Sequence, residues 1–438
     1  MPYTGVLGKA GLALENPQGI FTAPTKLVRF IPPFDFSPDI TPLISGGVNG
    51  KPDLATKYAQ GPAQLKGGKI KFEIEPEGGI GEHLAACFGT DTVNEVASFV
   101  VTLNVNDRID FTVDGGAAVS CQIAAGTYAM GTASSQAGTL CQLIKAGMET
   151  ASAGRTFTVT YSYATKKLTI AVDAGHVFVL LFLTGTNNSK TICALIGFSK
   201  ADTASGLNVT SNQTAGVGVY SHLFTRAATA SLPLFSWWQQ NALDYPTMQA
   251  CMLSKLDIDI KAKEFIQADA TWLGLKYLPG VTQSLTDSAL SPLKFDQAIL
   301  TVGGAGETDI QDLKLSFDNN VAVEHVVGNT IWGSKVASHG FGVKASGTLV
   351  VEDLTEWAKF IAGTASSLGL QINSTDMVKA AIPYSLACSV PTMIYRTMPR
   401  PIAKGLMKIA FSSDPIFNVA GSITANATLV NSVYTAYC

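Results

Sequence analysis

Apolar and polar residues alternate with a period of two along much of the chain. The clearest runs are KIKFEIE (Lys69–Glu75), TFTVTYSY (Thr156–Tyr163), KLDIDIKAK (Lys255–Lys263), DLKLSF (Asp312–Phe317) and TLVVE (Thr348–Glu352). Side chains of an extended strand point alternately to opposite faces, so these runs predict half-buried antiparallel strands. Three segments carry helical spacing instead: Gly78–Gly89, Gly138–Ala151 and Asp353–Gly363. Each ends near a glycine, the residue that most easily takes the left-handed turn closing a helix. The pattern predicts a mainly β protein with a few short helices.

The same order of signals occurs twice. GGKIKFEIEPEGGIGEHLAACFGT, Gly67 to Thr90, reads as glycine, alternating strand, acidic residue, short helix, Gly-Thr. SGTLVVEDLTEWAKFIAGT, Ser346 to Thr364, repeats it, with Gly68 matching Gly347, Phe72 matching Val351, and Gly89-Thr90 matching Gly363-Thr364. Each copy is preceded by a strand and a long polar loop and followed by two more strands. The expected equivalents of that last pair are MLSKLDIDIKA with FIQADATWLGLKY and LMKIAFS with FNVAGSITANATLV. This is read as a tandem duplication. An excess segment, Ala97 to roughly Thr203, has no counterpart in the second copy. Its own strand, helix and strand signals make a self-contained α+β unit, inserted between polar ends expected to act as linkers.

Composition narrows the function classes. Charged residues are 14% of the 438 and hydrophobic residues 47%, against about 25% charged in an average soluble domain. A surface so poor in charge suits a chain whose copies cover one another. The longest apolar run, His176 to Leu183, is too short for a membrane-crossing helix, so no membrane insertion is expected. The net charge of −3 supplies no basic field for gripping DNA. Seven cysteines, odd in number and without C-x-x-C spacing, read as reduced, buried thiols.

No catalytic constellation stands out: there is no H-E-x-x-H, G-x-S-x-G, Walker loop or dinucleotide fingerprint, and the histidines lie far apart. The chain is therefore read as a non-enzyme without metal or cofactor. GGAGETD (Gly303–Asp309) lacks the lysine of a phosphate cradle and reads as a hairpin turn. Glu73 with Glu75, and Asp257 with Asp259, place acids on one strand face; in an isolated sheet they are a solvated face, and in many copies around a channel they are an acidic lining. Trp237 and Trp238 in SLPLFSWWQQN, together with Trp332, are read as subunit-interface anchors, since tryptophan dominates interface energies.

In these residues the chain resembles the tail tube proteins of long-tailed bacteriophages. The likeness is strongest in PLKFDQAILTVGG, DIQDLKLSFDNNVAVEHVVGN and GSKVASHGFGVKASGTLVVED, and extends to FTAPTKLVRF, AQGPAQLKGGKIKFEIEP and SKLDIDIKAKEFIQADATWLGL. The resemblance implies two tandem tube modules, each an orthogonal β-sandwich or barrel with a flanking helix. Their expected extents are 1–96 with 204–280, and 281–438, with 97–203 inserted and projecting outward. It implies rings of six modules, made of three duplicated chains or of six unduplicated ones, stacked into a hollow tube through which DNA passes. Implied partners are further copies of the chain and the tape-measure, tail terminator and tail-tip proteins, in the virion after assembly in the host cytoplasm. Glu73, Glu75, Asp257 and Asp259 become lumen candidates. The loops Ser37–Gln64 and Asp318–Val343 become ring-stacking loops, through Asp39, Asn49, Lys51, Asp53, Asn319, Asn320 and Lys335. A competing reading makes the protein a tail-tip or decoration component whose inserted unit holds host-surface glycans through Tyr128, Tyr161 or Phe182.

Overall fold

The computed structural model describes residues 8–438 except 35, 45–57, 67, 153, 217, 228–231, 242–243, 308, 328–330, 352–353, 380, 400–406 and 420–422. The chain is mainly β, and each alternating run overlaps a strand: Lys69–Glu73, Phe157–Ser162, Pro246–Lys261, Ile310–Asp318 and Gly342–Val350. The helices are Ile80–Phe88, Leu140–Ser152 and Thr355–Ala362. The first and third close on Gly89 and Gly363 at φ 87° and 64°, where a side chain would be strained. GGAGETD does form a turn, with Gly303 and Gly304 joining Ala298–Val302 to Ala305–Glu307.

Seven strands lie side by side in one antiparallel sheet, here called the long sheet. Their order is Lys69–Glu73, Gln267–Leu273, Pro246–Lys261, Ile310–Asp318, Gly342–Val350, Lys408–Pro415 and Ile382–Thr397. Two of them, Pro246–Lys261 and Ile382–Thr397, are 16 residues long and run on into a second layer. There Pro246–Lys261 pairs with Phe235–Gln240, which pairs with Lys9–Leu14. In the same way Ile382–Thr397 pairs with Ser366–Lys379, which pairs with Ala298–Val302. Ile80–Phe88 and the apolar side of the long sheet share one core, which includes Phe72, Trp272, Ile258, Leu315, Phe317 and Phe411.

The pairing order is the same in both halves, and so are the irregularities. Register shifts fall between Phe235 and Trp237 and between Ser366 and Leu368, and again between Leu253 and Lys255 and between Tyr395 and Thr397. Such bulges add a residue to one strand and bend it, which is what a strand shared by two layers requires. The pairing also changes the equivalences expected from sequence. LMKIAFS stands where FIQADATWL stands, and the counterpart of MLSKLDIDIKA is Ile382–Thr397, whose weak alternation (IPYSLACSVPTMIYRT) hides its strand character.

The excess segment gathers its own buried cluster, from Phe99 to Ala215. It does not stop at 203, because Asn208–Thr210 pairs with Lys167–Val172 and Ala215 donates a hydrogen bond to Lys166 O. Nor are its flanks linkers: Gly89–Val96 and Val219–Arg226 form a strand pair from Val96 opposite Val219 to Gly89 opposite Arg226. On its other side Val219–Arg226 pairs with Asn426–Asn431.

Candidate functional site

The long sheet buries one face and leaves the other polar. Residues directly opposite in neighbouring strands share a face, so the register gives the polar side row by row. One row reads Lys71, Asp269, Asp257, Ser316, Lys344. The next reads Glu73, Gln267, Asp259, Lys314, Ser346, Ser412. On the other side of the first lie Lys69, Thr271, Lys255, Asp318 and Gly342. Lys69, Lys71, Lys255, Lys314 and Lys344 thus stand among Glu73, Asp257, Asp259, Asp269 and Asp318, and the formal charges cancel.

Ion pairs follow from this interleaving. Lys314 Nζ lies 2.9 Å from Asp257 Oδ2 and 3.7 Å from Asp259 Oδ1, and Lys255 Nζ lies 3.0 Å from the same Asp257 oxygen. Burial opposes ionisation of Asp257, but hydrogen bonds from Ser316, Lys314 and Lys255 outweigh it and hold its carboxyl below the usual range. Burial likewise works against the Lys314 ammonium, and Asp257 and Asp259 raise it above its ordinary value. The acidic stripe expected from Glu73, Asp257 and Asp259 is therefore a charge-balanced face. Each acid has a lysine beside or across from it, a signal already present in the KLDID and KIKFE strings. Glu75 is not on this face at all. It is 3% exposed beyond the strand end, and Arg29 Nη1 holds its Oε1 at 2.9 Å while pairing with Asp287 through Nε and Nη2.

The two loops expected to stack rings contain β-hairpins. Ser37–Ile44 pairs with Tyr58–Lys66, and Val321–Glu324 pairs with Lys335–Ser338. They touch each other: Ala63 donates to Ile331 O at 2.8 Å, and His325 Nε2 lies 3.2 Å from Ala63 O, beside the half-buried Trp332. Asp39 sits opposite Gln64 within its hairpin; Asn320 and Lys335 are exposed. Asn49, Lys51 and Asp53 lie outside the described residues. Asn319 is fully buried rather than displayed, donating to Leu253 O at 3.0 Å and accepting from Arg226 Nη1 at 2.6 Å. Arg226 also donates to Cys87 O and Ser338 Oγ, so an arginine that sequence reading passed over ties the second hairpin to the first helix.

Trp237 and Trp238 are fully buried within the chain, which removes them as anchors for another subunit. Trp237 packs edge-on to Trp272 with ring centroids 5.5 Å apart, and Trp238 donates Nε1–H to Val281 O at 2.8 Å. A strand with both faces covered has no polar side, and in FSWWQQ five consecutive positions are buried. In the inserted unit, Tyr161 and Phe182 belong to the core, and the Tyr128 hydroxyl turns back to Ala124 O at 3.1 Å. No aromatic platform for a sugar is formed by these three. The unit is tied down through Glu95, whose carboxylate accepts hydrogen bonds from Met130 N, Gly131 N and the Tyr163 hydroxyl.

The described residues include no helix long and apolar enough to cross a membrane, and no group of three or more His, Cys, Asp or Glu placed to hold a metal ion. Among protein families, the one described as phage tail tube protein matches residues 45–405. No curated protein matches the chain.

Proposed function

The chain belongs to the phage tail tube protein family, a structural component of the virion tail that associates with itself and with other tail proteins, and from that premise we propose that three copies close a ring of six modules whose rings stack into the tail tube. The observation that carries this is the long sheet. It runs without a break from Lys69–Glu73 in the first half, through the joint of Pro246–Lys261 with Ile310–Asp318, to the last strands of the second half. An open sheet of this length with one apolar and one polar face leaves unpaired edges, and closing it with other copies removes them.

In this reading the polar face lines the lumen. Because its lysines and acids neutralise one another at short range, it offers DNA phosphates neither a continuous basic track to bind nor a strong repulsive field. The hairpins Ser37–Ile44/Tyr58–Lys66 and Val321–Glu324/Lys335–Ser338 sit at one end of the sheet, where they reach the next ring. The inserted unit projects from the tube exterior. The other tail proteins it meets are the tape-measure, terminator and tail-tip proteins, during assembly in the host cytoplasm.

Negative-stain microscopy of the purified protein tests the reading. Hollow tubes or rings with the inserted unit outside are the expected result. A monomer that never polymerises at high concentration would overturn it, and density for the inserted unit inside the lumen would overturn its placement.

A further inference from the structure

The hairpin Val321–Glu324/Lys335–Ser338 leaves one end of the strand Ile310–Asp318, and a groove opens at the other end. Asp318 lies opposite Lys255, and Asp312 lies opposite Lys261. Both features therefore stand on the joint where Pro246–Lys261 of the first half meets Ile310–Asp318 of the second. A strand of nine residues sets them about 30 Å apart.

The groove has a volume of about 370 Å³, and Ile260, Phe295, Ile299 and Ile310 line it. A second hollow of about 410 Å³ shares Phe295 with it and takes in Phe265. Phe265, Phe295 and Ile299 are 42%, 39% and 54% exposed. Large apolar side chains gathered around a hollow and rimmed by polar residues mark a surface that another chain covers. Here the rim holds Lys263, Glu264, Lys294 and Asp296, whose formal charges cancel. Glu307 lines the groove on the side of the second half, where its Oε1 accepts a hydrogen bond from Asp309 N at 3.3 Å.

In the hairpin at the opposite end, Glu324 and Lys335 face each other as the outermost pair. Just beyond them Val326 is exposed and Val327 is fully so. These adjacent valines follow His325, whose Nε2 lies 3.2 Å from Ala63 O of the first hairpin, so the segment that carries them is held in place.

We propose that rings stack through this pair of features, with Val326 and Val327 of one copy seated in the Phe295–Ile299 groove of a copy in the next ring. This rests on the tube reading above and names the surface that receives the hairpin. The occupant is a second copy because the valines and the groove are apolar at their centres, balanced in charge at their rims, and set at opposite ends of one joint. A shift along the strand direction with a turn about the tube axis brings one to the other. A patch that fits a hollow elsewhere on the same molecule makes a contact that does not close on itself, so rings add without limit.

The full chain carrying Val327→Cys and Ile299→Cys, oxidised after assembly, tests the contact. The two positions are too far apart in one chain to link, so any disulfide between them joins two copies. The expected result is a ladder of linked chains on a non-reducing gel that extends past three, with either single variant stopping at dimers. Tubes that form with both thiols left free overturn the contact and leave the tube reading standing. If the unaltered protein stays monomeric, the tube reading falls and this proposal with it. Val327→Asp needs no cross-link and changes a side chain that lies in water in the free chain. Rings of this variant should persist, and the concentration at which they stack should rise roughly tenfold, about what one buried valine contributes. An unchanged stacking threshold overturns the proposal.

Discussion

The two halves carry the same short helix in the same place, each resting on its counterpart 16-residue strand, and what covers the rest of the helix differs. Counting back from the closing glycines, Gly89 and Gly363, Cys87 corresponds to Ile361 and His83 to Trp357. In Ile80–Phe88 eight of nine residues are buried; in Thr355–Ala362 only Glu356 is, and Ile361 is 67% exposed. The difference lies in what covers each helix. The first is roofed by the strand pair that leads into and out of the inserted unit, by Asn426–Asn431, and by Tyr437, whose ring presses on Gly81 so closely that no side chain fits there. The second packs chiefly on Ile382–Thr397. An insertion thus does more than add a domain: its flanking strands, with the C-terminal tail, finish the core of the half that hosts them.

The contrast is broken most severely at Phe88, which packs against Phe317 and Phe341. Phe88→Ala should cost about 3–5 kcal/mol, read as a lower midpoint in chemical denaturation. A loss below about 1 kcal/mol would mean the roof is loose.

Acid tests the same core through His83. Burial lowers its pKa to about 4, while an unfolded chain restores a value near 6.5. The unfolded state therefore binds the proton more tightly, and stability is lost as pH falls from about 6.5 towards 4, by about 3 kcal/mol for the full shift. His83→Phe should flatten that part of the pH profile in thermal melts; a profile as steep as before would place the acid sensitivity elsewhere.

Glu95→Ala leaves two buried-side amides and the Tyr163 hydroxyl without their acceptor, at about 1–3 kcal/mol. The readout is limited proteolysis, with faster cutting at the borders of the inserted unit than within the second half. Equal rates at both would show that Glu95 does not hold the insertion down.

On the polar face, Lys314→Gln removes one of the two lysines on Asp257 and should cost about 1 kcal/mol or less, because both lysines are well solvated. Its Asp257 carboxyl should titrate closer to the ordinary range, as followed by NMR of labelled aspartate; an unmoved titration would remove Lys314 as a partner. The smallest effect is expected at Ile361→Ala, within about 0.5 kcal/mol in the free chain.

Elements with strong alternation or a helix closed by glycine were legible in the sequence, because those signals are local. Ser366–Lys379 and Ile382–Thr397 were not, although their burial largely alternates, because small or polar residues such as Ser374, Ser385 and Cys388 occupy buried positions and blur the apolar period. Gly89–Val96 looked polar because it lies at the rim between the two cores. On the polar face the acids were found and the lysines passed over, although both stand in the same alternating strings. Asn319 looked like a loop tip; its long-range contacts with Leu253 O and Arg226 make it a core residue.

The central claim is that each chain supplies two equivalent modules to one ring. Counting chains per ring by mass photometry of disassembled tubes, or by symmetry in a cryo-electron microscopy reconstruction, tests it most directly. Three chains with pseudo-sixfold order are predicted. Six chains per ring would contradict it, leaving a tube whose second halves do not line the channel.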